Sequence, residues 1–267
     1  MRLTILLLGI LCLLTSCGKK KPITQQYKDK SHDEIMSAID LPSHPIKNIG
    51  ILVYDGVNDL DLTGPRYVLK SLMGVSVQMI AVKPGTITTV MGMQILPDTT
   101  MDQVNNLDIL VIPGGATETV KLSYNQKVLD WIKMIDEHTV YTTSVCTGGW
   151  ILGKTGLLSG KKATGNWFRA KEILAANGAQ FVNKRYVKDG KYWTSAGVTA
   201  GMDMSLAIMN ELVGPEYTQG VMLDMEYDPN PPIKGGSVKN TDAAVLELMN
   251  QMYSSMVDPI LEEKEHN

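Results

Sequence analysis

Short, unbroken apolar runs that stop abruptly at turn residues set the narrowest limit on what this chain can become. Residues 47–54 (KNIGILVY) end at Asp55-Gly56, 75–82 (VSVQMIAV) end before Pro84-Gly85, and 108–112 (DILVI) end at Pro113-Gly114-Gly115. Residues 139–145 (TVYTTSV) return to strand composition, and Cys146 sits directly at their end. Runs of this length without polar alternation suit strands buried on both faces of a parallel sheet. Helical signals fall between them: a helix over roughly 63–73, apolar residues at helical spacing at Val128, Leu129, Ile132 and Ile135, and a short helix around Trp150, Ile151 and Leu152 closed by Gly156 and Gly160. Residues 86–97 read as a hairpin around Gly92. Further strands are expected at 162–165, 185–187 and 192–196, and further helices around 169–176 and 198–213. Val245, Leu248, Met249, Met252 and Met256 give an amphipathic stripe for a C-terminal helix. Strand and helix alternating in this way predict a doubly wound α/β fold, with a mostly parallel sheet and helices on both faces. With 44% hydrophobic residues and no internal repeat or linker after Pro45, residues 46–267 read as one domain.

The first residues stand apart. Arg2, an almost wholly apolar run from Leu3 to Leu14, then Thr15, Ser16 and Cys17 read as a signal peptide over 1–16. The run falls short of the about 20 apolar residues a membrane span takes. Leu14-Thr15-Ser16-Cys17 resembles the lipobox of bacterial lipoproteins, which implies that Cys17 is lipidated and becomes the mature N-terminus. An ordinary cleaved signal that holds a Cys is the other reading. Residues 17–45 are polar and are expected to form a flexible tether, whose Lys19, Lys20 and Lys21 suit either anionic headgroups or plain solvation. The expected location is the bacterial cell envelope, periplasmic or extracytoplasmic, with the membrane reached only through the lipid.

Lys and Arg number 25 against 28 Asp and Glu, so the formal charge of −3 gives no electrostatic reason to expect nucleic acid. The 3 Cys and 4 His show no paired-ligand spacing, and neither a metal nor a cofactor is expected. Once Cys12 leaves with the signal and Cys17 carries lipid, Cys146 is the lone free thiol.

In open α/β sheets the site lies outside the carboxyl ends of the strands. Cys146 stands there in Thr143-Ser144-Val145-Cys146-Thr147-Gly148-Gly149, the pattern of a nucleophile elbow, where a following helix end would lower the thiol pKa. A small buried hydrophobe is the equally open reading. Gly114 and Gly115 could offer backbone N–H groups beside the Thr147 amide to a developing negative charge, or could simply make a turn. Asp59 and Asp61 follow the first strand. Asp61 is either a cap or first-turn acid, or a carboxyl facing Cys146 and able to move a proton. His138 lies at the far end of the strand that carries Cys146 and is badly placed for a Cys-His dyad.

Taken in order, DLDLTGP, DILVIPGG, SVCTGGWILGKTGLLSGKKAT, TSAGVTAGMDMSLAIMNELVG and EYDPNPP resemble the ThiJ/PfpI superfamily, whose fold is class I glutamine-amidotransferase-like. Within it the pattern is most similar to isonitrile hydratases and the related sensor half of some transcription regulators. The resemblance spans roughly residues 46–236. It implies a Cys146 nucleophile, an Asp61 acid partner, Thr147 after the nucleophile as in hydratases, and a Gly115 amide facing the thiol. Gly114, Asn166 and Trp167 become candidates for the substrate pocket. Relatives commonly carry His where this chain has Asn166, which keeps hydrogen bonding but cannot become a cation. The implied activity is that of a hydro-lyase: the Cys146 thiolate attacks the terminal carbon of a small isonitrile, Asp61 supplies the proton that the nitrogen gains, and water releases an N-substituted formamide. A non-catalytic ligand-binding module and a thiol redox or carbonyl-stress protein are the alternatives within the same fold. Homodimers are common among relatives. Too little chain follows residue 236 for a DNA-binding region of the regulator type.

Overall fold

The computed structural model describes residues 28–38 and 43–265. The signal segment at 1–16 and the lipidation site Cys17 lie outside them. Two units are distinguished, one ending at Leu41 and one spanning Pro42–Asn267. In the first, a helix α1 (His32–Ala38) interrupts the expected tether. Its start is explained by Ser31 and Glu34, which cap each other: the Ser31 N–H donates to Glu34 Oε2 at 2.8 Å and the Glu34 N–H to Ser31 Oγ at 3.3 Å.

The second unit runs β1 (Asn48–Val53), α2 (Asp59–Lys70), β2 (Ser76–Ala81), β3 (Ile87–Thr88), β4 (Gln94–Ile95), β5 (Thr99–Thr100), β6 (Ile109–Ile112), α3 (Thr117–Leu122), α4 (Gln126–Asp136) and β7 (Tyr141–Val145). It continues through α5 (Gly148–Lys154), β8 (Lys162–Ala163), α6 (Ala170–Ala176), β9 (Gln180–Phe181), β10 (Tyr186–Asp189) and β11 (Tyr192–Ser195), and closes with α7 (Ala200–Val213), α8 (Pro215–Asp224) and α9 (Ala243–Glu265). A seven-stranded sheet has the order β10-β11-β7-β6-β1-β2-β5, parallel throughout except for the β10–β11 pair. β3 and β4 pair separately as the expected hairpin. The chain builds outward from β1 through β2 to β5, then returns to place β6 on the other side of β1. That reversal between β1 and β6 opens a crevice at their carboxyl ends.

Burial explains the strand sequences. Ile49, Ile51, Leu52 and Val53 of β1 and all of β6 are fully enclosed, so neither face tolerates a polar residue. Helix α2 starts earlier than the sequence suggests, because Asn58 caps it by accepting the N–H groups of Leu60 and Asp61 at 3.1 and 3.2 Å. Helix α8 is a further addition, begun by Pro215 after Gly214. The C-terminal helix forms, but much of its stripe faces outward: Val245, Leu248 and Met252 are exposed, while Met256 lines a cavity. Tyr253, Val257, Ile260 and Leu261, on an adjacent face, pack instead against Val120, Trp150 and Phe168.

Candidate active site

Cys146 directly follows β7 with φ of +58°, the left-handed region in which a side chain is strained. Three backbone hydrogen bonds hold it there. Its N–H donates to the Ser195 carbonyl at 3.0 Å, and its carbonyl accepts from Gly149 and Asn166, each at 3.3 Å. A Cβ on Gly148 would collide with the Ile112 carbonyl oxygen, so only glycine lets α5 begin this close to β6. The expected sharp elbow is thus built from β7, β11 and α5, with the thiol buried beneath the crevice.

Asp61 arrives from the other side, in the first turn of α2. The Asn58 N–H donates to the Gly114 carbonyl at 2.8 Å, joining the loops after β1 and β6. The Gly114 N–H donates to Asp61 Oδ2 at 3.0 Å. Asp61 is fully enclosed, and its Oδ1 has no hydrogen-bond partner. Gly114 is required by space, since a Cβ would lie 2.5 Å from Thr147 Oγ1 and 2.9 Å from Asp61 Oδ2. Its neighbour Asp59 does other work, accepting from Thr89 Oγ1 at 2.8 Å and from the Met91 N–H at 3.2 Å to hold the β3–β4 hairpin.

Burial pushes the Asp61 carboxyl up to about 7, against the Gly114 amide and the Cys146 thiol, which both favour its charged form. Burial also pushes the thiol up, reinforced by the charge of Asp61 and only partly opposed by the Asn166 amide and the Thr147 N–H. The expectation of a thiol pKa lowered by the helix end is therefore corrected: enclosure and a neighbouring carboxylate outweigh it. At neutral pH the sulfur keeps its proton and Asp61 is poised to take it.

Thr147 locks the elbow to the neighbouring loop. Its Oγ1 accepts from the Gly115 N–H and donates to the Gly115 carbonyl, both at 3.0 Å. The Gly115 amide, which the resemblance implied would face the thiol, is thus engaged with the Thr147 hydroxyl. Asn166 does face it: Nδ2 donates to Cys146 Sγ at 3.1 Å, while Oδ1 accepts the Phe168 N–H at 2.9 Å and so fixes which end of the amide meets sulfur. His138 follows α4, beyond the opposite end of β7. Among the described residues no three His, Cys, Asp or Glu side chains gather as a metal site requires.

A cavity of about 90 Å³ adjoins this cluster, and its lining includes Asn58, Gly115, Thr147, Trp150 and Tyr253. None of the pocket candidates Gly114, Asn166 and Trp167 is in its lining. Gly114 holds Asp61, Asn166 holds the sulfur, and Trp167 packs edge-on against Tyr253 at 5.1 Å between ring centres. Tyr253 is the residue that sequence reasoning missed. It comes from α9 and lines the cavity together with Met256 and Val257. No local motif marks it, because only the folding of α9 over α3 and α5 brings it to the site.

Residues 47–211 match the profile of the DJ-1/PfpI family. The chain is 40% identical over 199 residues to isonitrile hydratase of Pseudomonas putida, covering 74% of this chain and 86% of that protein. It is similar in structure to a ThiJ/PfpI family protein of Pseudomonas syringae, with a TM-score of 0.79, 32% identity and coverage of 91% and 97% of the two chains. Drosophila melanogaster DJ-1beta superposes with a TM-score of 0.61 at 27% identity, over 68% of this chain and 98% of its own.

Proposed function

The chain belongs to the DJ-1/PfpI family, and from that premise we propose that it is an isonitrile hydratase-like lyase, converting a small isonitrile to an N-substituted formamide. The observation that carries this reading is the enclosed Asp61 carboxyl beside Cys146, with the Gly114 N–H on one oxygen and the other oxygen unpartnered. The similarity to isonitrile hydratase supports the same conclusion.

The ionised Asp61 accepts the thiol proton as sulfur attacks the terminal carbon of R–N≡C and the carbon–sulfur bond forms. That proton passes from Asp61 to the same carbon, giving the thioimidate R–N=CH–S–Cys146. Water then adds across the carbon–nitrogen double bond, its oxygen to carbon and a proton to nitrogen, so the nitrogen gains its proton in the second half of the reaction. The carbon–sulfur bond breaks, the hydroxyl proton returns to sulfur through Asp61, and R–NH–CHO leaves. Asn166, donating to Sγ at 3.1 Å, stabilises sulfur as it loses its proton and again as it departs. On the strength of Leu14-Thr15-Ser16-Cys17, we place this enzyme at the cell envelope, held by lipid on Cys17.

The test is formamide production from isopropyl isonitrile by the wild type and by Cys146→Ala. We expect turnover in the first and none in the second. Equal turnover in both would exclude the cysteine mechanism, and none in either, with Cys146 open to alkylation, would exclude this substrate.

A further inference from the structure

The cavity beside the elbow is walled on one side by a helix outside the family match, which ends at residue 211, whereas α9 begins at Ala243. Tyr253, Met256 and Val257 of α9 line the same cavity as Val90, Val120 and Trp150, so most of its wall is carbon. The wall is firmly seated. The Tyr253 ring lies 5.1 Å from Trp167 and 5.3 Å from Phe168, and Val257 is buried. Next in the chain, Asp258 pairs with Arg169 at 2.7 Å, and Arg169 also donates to Ser254 Oγ at 3.3 Å. A cavity of about 150 Å³ is what a benzene ring fills, and the space here is about 90 Å³.

We propose that α9 sets the substrate class, with Tyr253 and Met256 keeping the cavity small enough to admit a short aliphatic substituent and refuse an aromatic one. The substituent lies against Trp150, Val120 and α9, with Thr147, the chain neighbour of Cys146, in the same wall. Naming the substituent of an isonitrile rests on the hydratase reading, whereas the size limit imposed by the wall does not.

The experiment uses the full chain as wild type, Tyr253→Ala and Met256→Ala. Modification of Cys146, followed by peptide mapping, is timed with N-methylmaleimide and with N-phenylmaleimide, each relative to its rate with free cysteine, and turnover is measured with isopropyl and phenyl isonitrile. We expect the wild type to favour the smaller reagent and the alkyl isonitrile, and each variant to narrow both preferences by about tenfold or more. Met256 is partly exposed, so its truncation leaves a folded protein even where loss of Tyr253 disturbs the aromatic cluster. Preferences that stay unchanged in the folded variants, or a wild type that handles phenyl and alkyl reagents equally, would overturn the proposal. A narrowed reagent preference with no turnover of either isonitrile supports the wall and removes the hydratase reading instead.

Discussion

At Asp61 the demands of chemistry and of stability oppose each other. Its carboxyl is raised from 3.8 to about 7 by burial. Between those values the folded protein holds a proton that the unfolded chain has released, so stability falls as pH climbs through the interval and stays lower above it. Asp61→Asn removes the buried charge and keeps an oxygen for the Gly114 N–H. We expect urea unfolding at pH 8 to show the variant more stable by on the order of 1–3 kcal/mol, a gain that shrinks toward zero near pH 4. A variant less stable at pH 8 than at pH 4, relative to wild type, would contradict the titration assigned to this group. Cys146 and Asp61 were legible in the sequence because each sits in a short motif next to a strand end. The direction of the thiol shift was not, because it depends on how completely distant segments enclose the pair. The placement of Gly115 was obscured similarly: spacing shows a glycine near the elbow, but only the fold shows its amide captured by Thr147.

At the level of elements, the crevice depends on how tightly α5 can leave β7 beside β6. A Cβ on Gly148 would strike the Ile112 carbonyl oxygen, and backbone cannot step aside as a flexible side chain can. Gly148→Ala should therefore destabilise the domain by roughly 2–4 kcal/mol, read from denaturant midpoints, and should slow alkylation of Cys146 in whatever protein remains folded. A fully stable Gly148→Ala protein would show that the elbow is looser than its geometry implies. The central strands were readable because burial on both faces leaves a continuous apolar run. Helix starts were harder. Asn58 caps α2 ahead of the apolar pattern that marked the helix, and the Ser31–Glu34 box that starts α1 was present in a segment whose composition suggested a tether. The stripe on α9 predicted the helix, whereas its docking falls mainly to Tyr253, Val257, Ile260 and Leu261, an equally regular set.

For the molecule as a whole, the sheet order brings three loops to one crevice: Asp61 follows β1, Gly114 and Gly115 follow β6, and Cys146 follows β7. That convergence was legible, because a doubly wound sheet always gathers its functional loops at the reversal of strand order. The contribution of α9 was not, because no rule of topology says where a helix after the last strand will lie. The N-terminal segment carries a separate expectation. Cells making the full chain with labelled palmitate should yield a labelled, membrane-associated protein, and Cys17→Ser should be unlabelled and leave the membrane fraction; label retained by Cys17→Ser would refute the anchor. The claim on which everything else depends is that Asp61 takes the proton of Cys146 during attack. Its most direct measurement is the pH profile of kcat/KM for isopropyl isonitrile with wild type, Cys146→Ala and Asp61→Asn. We expect the wild-type profile to rise through about pH 7 as Asp61 ionises and then level off, with Asp61→Asn low and flat by about a hundredfold or more and Cys146→Ala inactive. A folded Asp61→Asn protein with wild-type turnover, or a wild-type profile that rises only far above neutrality, would contradict it.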